Sequence, residues 1–110
     1  MLLDTYSSEQ DLVAARDDKV ESIDSNISHT EQIVDKLRDN LKELQEEAAK
    51  MERGGKSVSD ELKADIASVK RQISDSRTEI GNRYQQRSAI MAKFEADLAR
   101  YRELKSGQDN

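Results

Sequence analysis

Apolar side chains recur at alternating spacings of three and four residues on both sides of a single Gly-Gly step, and no proline interrupts either stretch. On the N-terminal side the series is Val13, Val20, Ile23, Ile27, Thr30, Val34, Leu37, Leu41, Leu44, Ala48 and Met51. A mean spacing of 3.5 keeps one narrow face of an α-helix apolar for roughly five heptads, the pattern of a coiled-coil strand. On the C-terminal side Leu62, Ile66, Val69, Ile73, Ser76 and Ile80 are followed by Tyr84, Arg87, Met91, Phe94, Leu98 and Tyr101. The step from Ile80 to Tyr84 is a four where a three is due, which predicts a stutter.

The ends of both stretches carry helix signals. Ser7 with Gln10 three residues later reads as a capping box, and Glu9 and Asp11 suit the positive end of a helix. The Gly54-Gly55 step can leave the helix with positive φ, and Ser57 or Ser59 can cap the next one, with Asp60 and Glu61 in its first turn. The reading is all-α: residues 1–110 form one two-helix antiparallel coiled-coil hairpin, with helix one at about 8–53, a turn at 54–58 and helix two at about 59–105. Arms of that length reach roughly 65 to 70 Å at 1.5 Å per residue.

A turn centred on Gly55 makes the numbers of facing residues add to about 110, which sets Leu44 against Ile66, Leu41 against Val69 and Leu37 against Ile73. Beyond the expected stutter the total rises to about 114, setting Ile27 against Arg87, Ile23 against Met91, Val20 against Phe94 and Val13 against Tyr101. Between these halves, Thr30, Ser76 and Arg87 put polar groups on the seam, so the middle is expected to be a bend or the least stable part of the interior. Lys19 then faces Asp97 and Glu31 faces Arg77, but Arg38 faces Lys70 and Glu47 faces Asp65. Exposed pairs of this kind contribute tenths of a kcal/mol to about 1, so they do not decide the register.

Charged residues make up 37% of the chain and hydrophobic ones 35%, too little apolar material for a thick core. Residues 1–53 carry 7 basic and 14 acidic side chains and residues 54–110 carry 11 and 9, so opposite tendencies favour pairing of the two arms. With no Cys, disulfides and thiolate chemistry are excluded. No apolar run is long enough to span a membrane, and Met1-Leu2-Leu3 is too short for the core of a signal peptide.

Chemistry-bearing motifs are weak. Gly55-Lys56-Ser57 imitates the end of a phosphate-binding loop, but position 50 is Lys where that loop needs Gly. His29 is the single histidine, with Glu31, Asp24 and Asp35 nearby in sequence, and two packed helices provide no concave site for it. Asn26-Ile27-Ser28 fits a glycosylation triplet in the middle of a helix. Glu31, Asp35, Asp39, Glu43 and Glu47 follow at intervals of four as an acidic, solvated ridge. Arg71, Arg77, Arg83, Arg87, Arg100 and Arg102 are interleaved with acids under a net charge of −5, which argues against nucleic-acid binding. No catalytic residue, cofactor or metal is expected.

Three stretches carry a resemblance: Leu3-Asp4-Thr5-Tyr6-Ser7-Ser8-Glu9-Gln10-Asp11-Leu12 with Ala15-Arg16-Asp17, the turn Glu52-Arg53-Gly54-Gly55-Lys56-Ser57-Val58, and Phe94 to Lys105. Together they resemble the C-terminal coiled-coil portion of uncharacterised proteobacterial envelope proteins. The resemblance covers nearly the whole chain, implies periplasmic residence, and supplies no catalytic residues. Members of that group open with an export signal and a small N-terminal domain and often carry Pro near the turn. This chain shows neither feature.

The leading functional expectation is a non-enzymatic interaction or spacer module, ahead of an RNA-clasping helical arm and a holdase-type chaperone hairpin. The expected partner is a second copy of the chain or another helical protein. Leu12 and Ile33 on helix one, with Ile90 and Leu104 on helix two, flank the expected seam on one side. Left wet, each large side chain forgoes roughly 1.5 to 3 kcal/mol, so two hairpins are expected to pair through this stripe into a four-helix assembly. In the alternative, the flanking residues widen the seam within one hairpin, Leu12 touching Leu104.

Overall fold

In the computed structural model the chain is a two-helix hairpin, described at Tyr6 and over residues 8–109, with side chains described as far as Gly107. Helix α1 spans Glu9–Arg53 and helix α2 spans Asp60–Asp109, and no strand occurs among the described residues. The N-cap expected at Ser7 lies outside the described residues. Ser8 provides a cap: its Oγ accepts a hydrogen bond from the Asp11 backbone N–H at 3.1 Å, satisfying one of the donors that a helix start leaves unpaired. Ser59 does the same for α2, accepting from the Leu62 N–H at 3.1 Å. The second helix continues past Lys105 through Gly107 to Asp109.

The end of α1 is built by one glycine. Gly55 has φ of 76°, and no other described residue has positive φ. The Lys56 N–H donates to the Met51 carbonyl at 2.9 Å and the Gly55 N–H to the Glu52 carbonyl at 3.0 Å, the paired bonds of a Schellman motif with Gly55 as the left-handed residue. Gly54 has no positive φ and its N–H bonds to the Lys50 carbonyl at 3.0 Å, so of the two glycines it is Gly55 that leaves the helix left-handed. Only one residue must be left-handed to turn the chain out of the helix.

Two compact units make up the chain. One comprises the chain up to Ile27 with the chain from Asn82, and is called the end unit; the other, residues 28–81, contains the turn and is called the turn unit. In the turn unit, Val34, Val69 and Ile73 are buried together, with Leu37, Leu41, Leu44 and Ile80 packed against them. These are the aliphatic positions expected from the spacing, one side chain per half-heptad from each helix. Thr30 is also buried, and no buried side-chain N or O atom among the described residues lacks a hydrogen-bond partner.

The end unit corrects the sequence reading. Along α2 from Ile80 to Leu104 the residues that are not exposed are Ile80, Arg83, Arg87, Ile90, Met91, Phe94, Asp97, Leu98, Tyr101 and Leu104, and an alternation of three and four runs unbroken through Ile80, Arg83, Arg87, Ile90, Phe94, Asp97, Tyr101 and Leu104. Consequently there is no stutter after Ile80. Tyr84, expected on the seam, is 51% exposed. The ion-paired residues Asp24 and Arg87 add to 111, as do Glu9 and Arg102.

On α1 the same unit buries Leu12 to 1% exposure, with Val13 only half-buried beside it. Leu12 sits with Phe94 and Tyr101, and Tyr6, Ala15, Ile90 and Leu98 pack around the three. The physical reason lies across the seam. Phe94 and Tyr101 are one heptad apart on α2, and two rings on the same face need a long side chain to fill the space between them, which leucine provides better than valine. Lys19, one heptad after Leu12, lays its stem over the same surface, with its ammonium 5.7 Å from the Phe94 ring centroid.

Candidate functional site

The four residues expected to form a second apolar stripe do not stand together on a wet face. Leu12 is the most deeply buried large side chain described, Ile90 packs against its cluster, and Leu104 is half-buried at the next inward position of α2. Only Ile33 keeps substantial exposure, at 39%. Because the heptad of α2 is unbroken, Ile90 and Leu104 are seam residues and their burial occurs within one chain. Of the stripe Leu12, Ile33, Ile90 and Leu104, a single chain buries Leu12, half-buries Ile90 and Leu104, and leaves Ile33 exposed.

What the outer surface presents is charge. In the end unit, Arg87 Nε donates to Asp24 Oδ1 at 2.8 Å, and Arg102 Nε donates to Glu9 Oε1, each pair joining α1 to α2. Arg100 pairs with Glu103 within α2 at 3.2 Å, and Arg16 with Asp17 within α1 at 2.8 Å. The pairing of Lys19 with Asp97 expected from the higher register is replaced by the contact of Lys19 with Phe94. Neither cross-helix arginine pair was foreseen. The signal was available: a register total of 111 carried past Ile80 puts both acids opposite both arginines.

In the turn unit the flanks carry shallow open grooves. One, of about 290 Å³, has Val34 and Ile80 at its base, with Glu31 and Asp35 beside Arg38 and Arg77. The juxtaposition of Glu31 and Arg77 expected from the spacing is present in this groove. A second, of about 310 Å³ near the turn, gathers Glu47, Glu61 and Asp65 over Leu44, Met51 and Leu62. That gathering places Glu47 and Asp65 on a common flank, as the register requires. Among the described residues no three His, Cys, Asp or Glu groups converge closely enough to hold a metal ion. No described helix is long and apolar enough to cross a membrane.

The remaining motifs resolve into ordinary helix chemistry. His29 is exposed on α1 between Ile27 and Thr30, which face inward. In Asn26-Ile27-Ser28 the central residue is buried and the triplet lies inside a helix. At Gly55-Lys56-Ser57, the N–H groups of Gly55 and Lys56 are spent on carbonyls of the last turn of α1. A phosphate cradle needs those donors pointing outward.

Comparison with known protein families, with curated proteins and with solved structures finds no match to this chain.

Proposed function

We propose that this chain is a non-enzymatic coiled-coil module that works as a spacer or as a surface for another helical protein. The observation that carries the reading is the use of its apolar residues. Among the described residues every large hydrophobic side chain except Ile33 and Tyr84 is at least half-buried, and the acidic ridge from Glu31 to Glu47 faces solvent. With Leu12, Ile90 and Leu104 committed to the seam, nothing remains of the stripe that favoured a four-helix assembly, and the hairpin acts as a monomer in this reading. Periplasmic placement, carried by the resemblance of the opening, turn and tail segments, goes with it.

Length and surface are separable. Deleting residues 37–43 together with 67–73 removes one heptad from each arm, keeps the seam in step, and shortens the arms by about 10 Å. Replacing the native gene with this version abolishes function if length is the asset, while neutralising Asp35, Asp39 and Glu43 together abolishes it if the surface is. A host indifferent to both changes contradicts the module reading. The RNA-clasping alternative is favoured by no observation here, because Arg87, Arg100 and Arg102 are already bound to carboxylates. A tRNA mobility shift at low salt that survives in 0.2 M salt revives it.

A further inference from the structure

In the turn unit the exposed residues that adjoin the seam are sorted by charge. Those directly after Thr30, Leu37 and Leu44 on α1, and after Leu62, Val69 and Ser76 on α2, are Glu31, Arg38, Gln45, Lys63, Lys70 and Arg77: four bases and one acid. Those directly before Val34, Leu41 and Ala48, and before Ile66, Ile73 and Ile80, are Ile33, Asn40, Glu47, Asp65, Gln72 and Glu79: three acids and no base. Each row repeats every seven residues and so keeps nearly one line along its helix. The groove that joins Glu31 and Arg38 to Arg77 puts the basic rows of both helices on one flank. The grooves that join Asn40 to Asp65 and Gln72, and Glu47 to Asp65, put the acidic rows on the other.

The hairpin itself makes no use of this sorting. Among the described residues none of these charges enters an ion pair within the chain, whereas the end unit joins Asp24 to Arg87 and Glu9 to Arg102 across its helices. The register sets Arg38 opposite Lys70 and Glu47 opposite Asp65, like against like, at the positions that ordinarily govern which helix a coiled-coil strand accepts. The two flanks complement each other instead. The acidic one also carries Ile33, 39% exposed, and the basic one carries the open groove of about 290 Å³ floored by Val34 and Ile80 beside Arg38 and Arg77. The rows Lys63, Lys70, Arg77 and Asp65, Gln72, Glu79 share one period, so a single register between two copies brings all three positions together.

We propose that the turn unit docks a second copy of this chain, the acidic flank of one hairpin lying on the basic flank of the next, with Ile33 seated in the groove over Val34 and Ile80. Different surfaces meet at such a contact, so every copy keeps one flank open and association continues as a row instead of closing at a dimer. The monomeric module is the building block of the row, and Leu12, Ile90 and Leu104 take no part in the contact. Exposed opposite charges make it weak and sensitive to salt.

Sedimentation equilibrium of the full chain tests it. In about 50 mM NaCl the average mass is expected to rise from 12.5 kDa and pass that of a dimer as the concentration approaches about 1 mM, and to return to 12.5 kDa in about 500 mM NaCl. Ile33→Gln lowers the association constant about threefold or more. Lys70→Glu with Arg77→Glu reverses the basic flank, and Asp65→Lys with Glu79→Lys the acidic one. Each double variant alone stays at 12.5 kDa with native helicity by circular dichroism, and an equimolar mixture of the two associates again, which a folding defect would not allow. A native chain that remains a monomer at about 1 mM in low salt overturns the proposal, and so does a mass that levels off at the dimer, which is symmetric pairing. Association that persists undiminished in about 500 mM NaCl, or double variants that stay apart when mixed, also overturns it.

Discussion

The turn unit and the end unit are built from the same two helices and differ in how many apolar side chains compete for each seam position. In the turn unit Leu37, Leu41, Val69 and Ile73 are each the one large aliphatic candidate for their position, Val34 beside Ile33 being the exception, and the packing follows the spacing. The end unit offers neighbours of similar hydrophobicity, Leu12 beside Val13 and Ile90 beside Met91, and adds rings and arginines. A periodic pattern identifies a face to within one residue only when the adjoining residue is polar. Where two consecutive residues are apolar, cross-helix shape and charge choose between them.

Breaking each core tests this comparison most severely. Phe94→Ala removes the ring at the centre of the end cluster and is expected to cost about 3–5 kcal/mol, against about 2–5 kcal/mol for Ile73→Ala in the turn cluster. If the two units open separately, amide exchange after Phe94→Ala rises at Leu12 and Leu98 and stays slow at Leu41 and Val69. A uniform rise throughout both helices means that the hairpin unfolds as one cooperative body, and the comparison fails.

The turn separates its two glycines. Gly55→Ala forces an L side chain into φ of 76° and is expected to destabilise by about 1–2 kcal/mol. Gly54→Ala places a Cβ at ordinary contact distance, 3.5 Å from the Lys50 and Met51 carbonyls, and is expected to be neutral or to stabilise by up to about 1 kcal/mol. Urea midpoints of the two variants give the order; Gly54→Ala as the worse of the two contradicts the Schellman assignment.

Caps give a smaller contrast. Ser59→Ala is expected to cost about 1 kcal/mol, because the start of α2 adjoins Leu62 in the buried seam. Ser8→Ala lies at an exposed helix start, where fraying absorbs part of the loss, so thermal unfolding should shift less. The smallest effect belongs to the ion pairs. Arg87→Gln is expected to change stability by about 0.2–1 kcal/mol, a difference that shrinks as salt is raised, since both partners are well exposed. A loss several times larger would mean that the pair is a main support of the end unit.

Sequence alone determined the helices, their ends and the partner faces of the turn unit. A proline-free heptad, a Gly-Gly step and serines placed before acidic first turns are local signals, each acting within a few residues of itself. Those signals placed α1 and α2 within a residue or so at three of their four ends, the exception being the last turn of α2 beyond Lys105. What tertiary structure decided was rotational: that Leu12 goes in ahead of Val13, that Arg83 turns inward and Tyr84 outward, and that Ile90 and Leu104 are seam residues. Hydrophobicity alone assigns the seam position to Tyr84, since an aromatic ring is more apolar than an arginine. The inward position went to arginine because each side chain is placed together with its whole helix. Phe94 and Tyr101 over Leu12, with Arg87 and Arg102 reaching Asp24 and Glu9, set the rotation of α2 for every residue it carries, and those contacts join positions more than sixty residues apart in the chain.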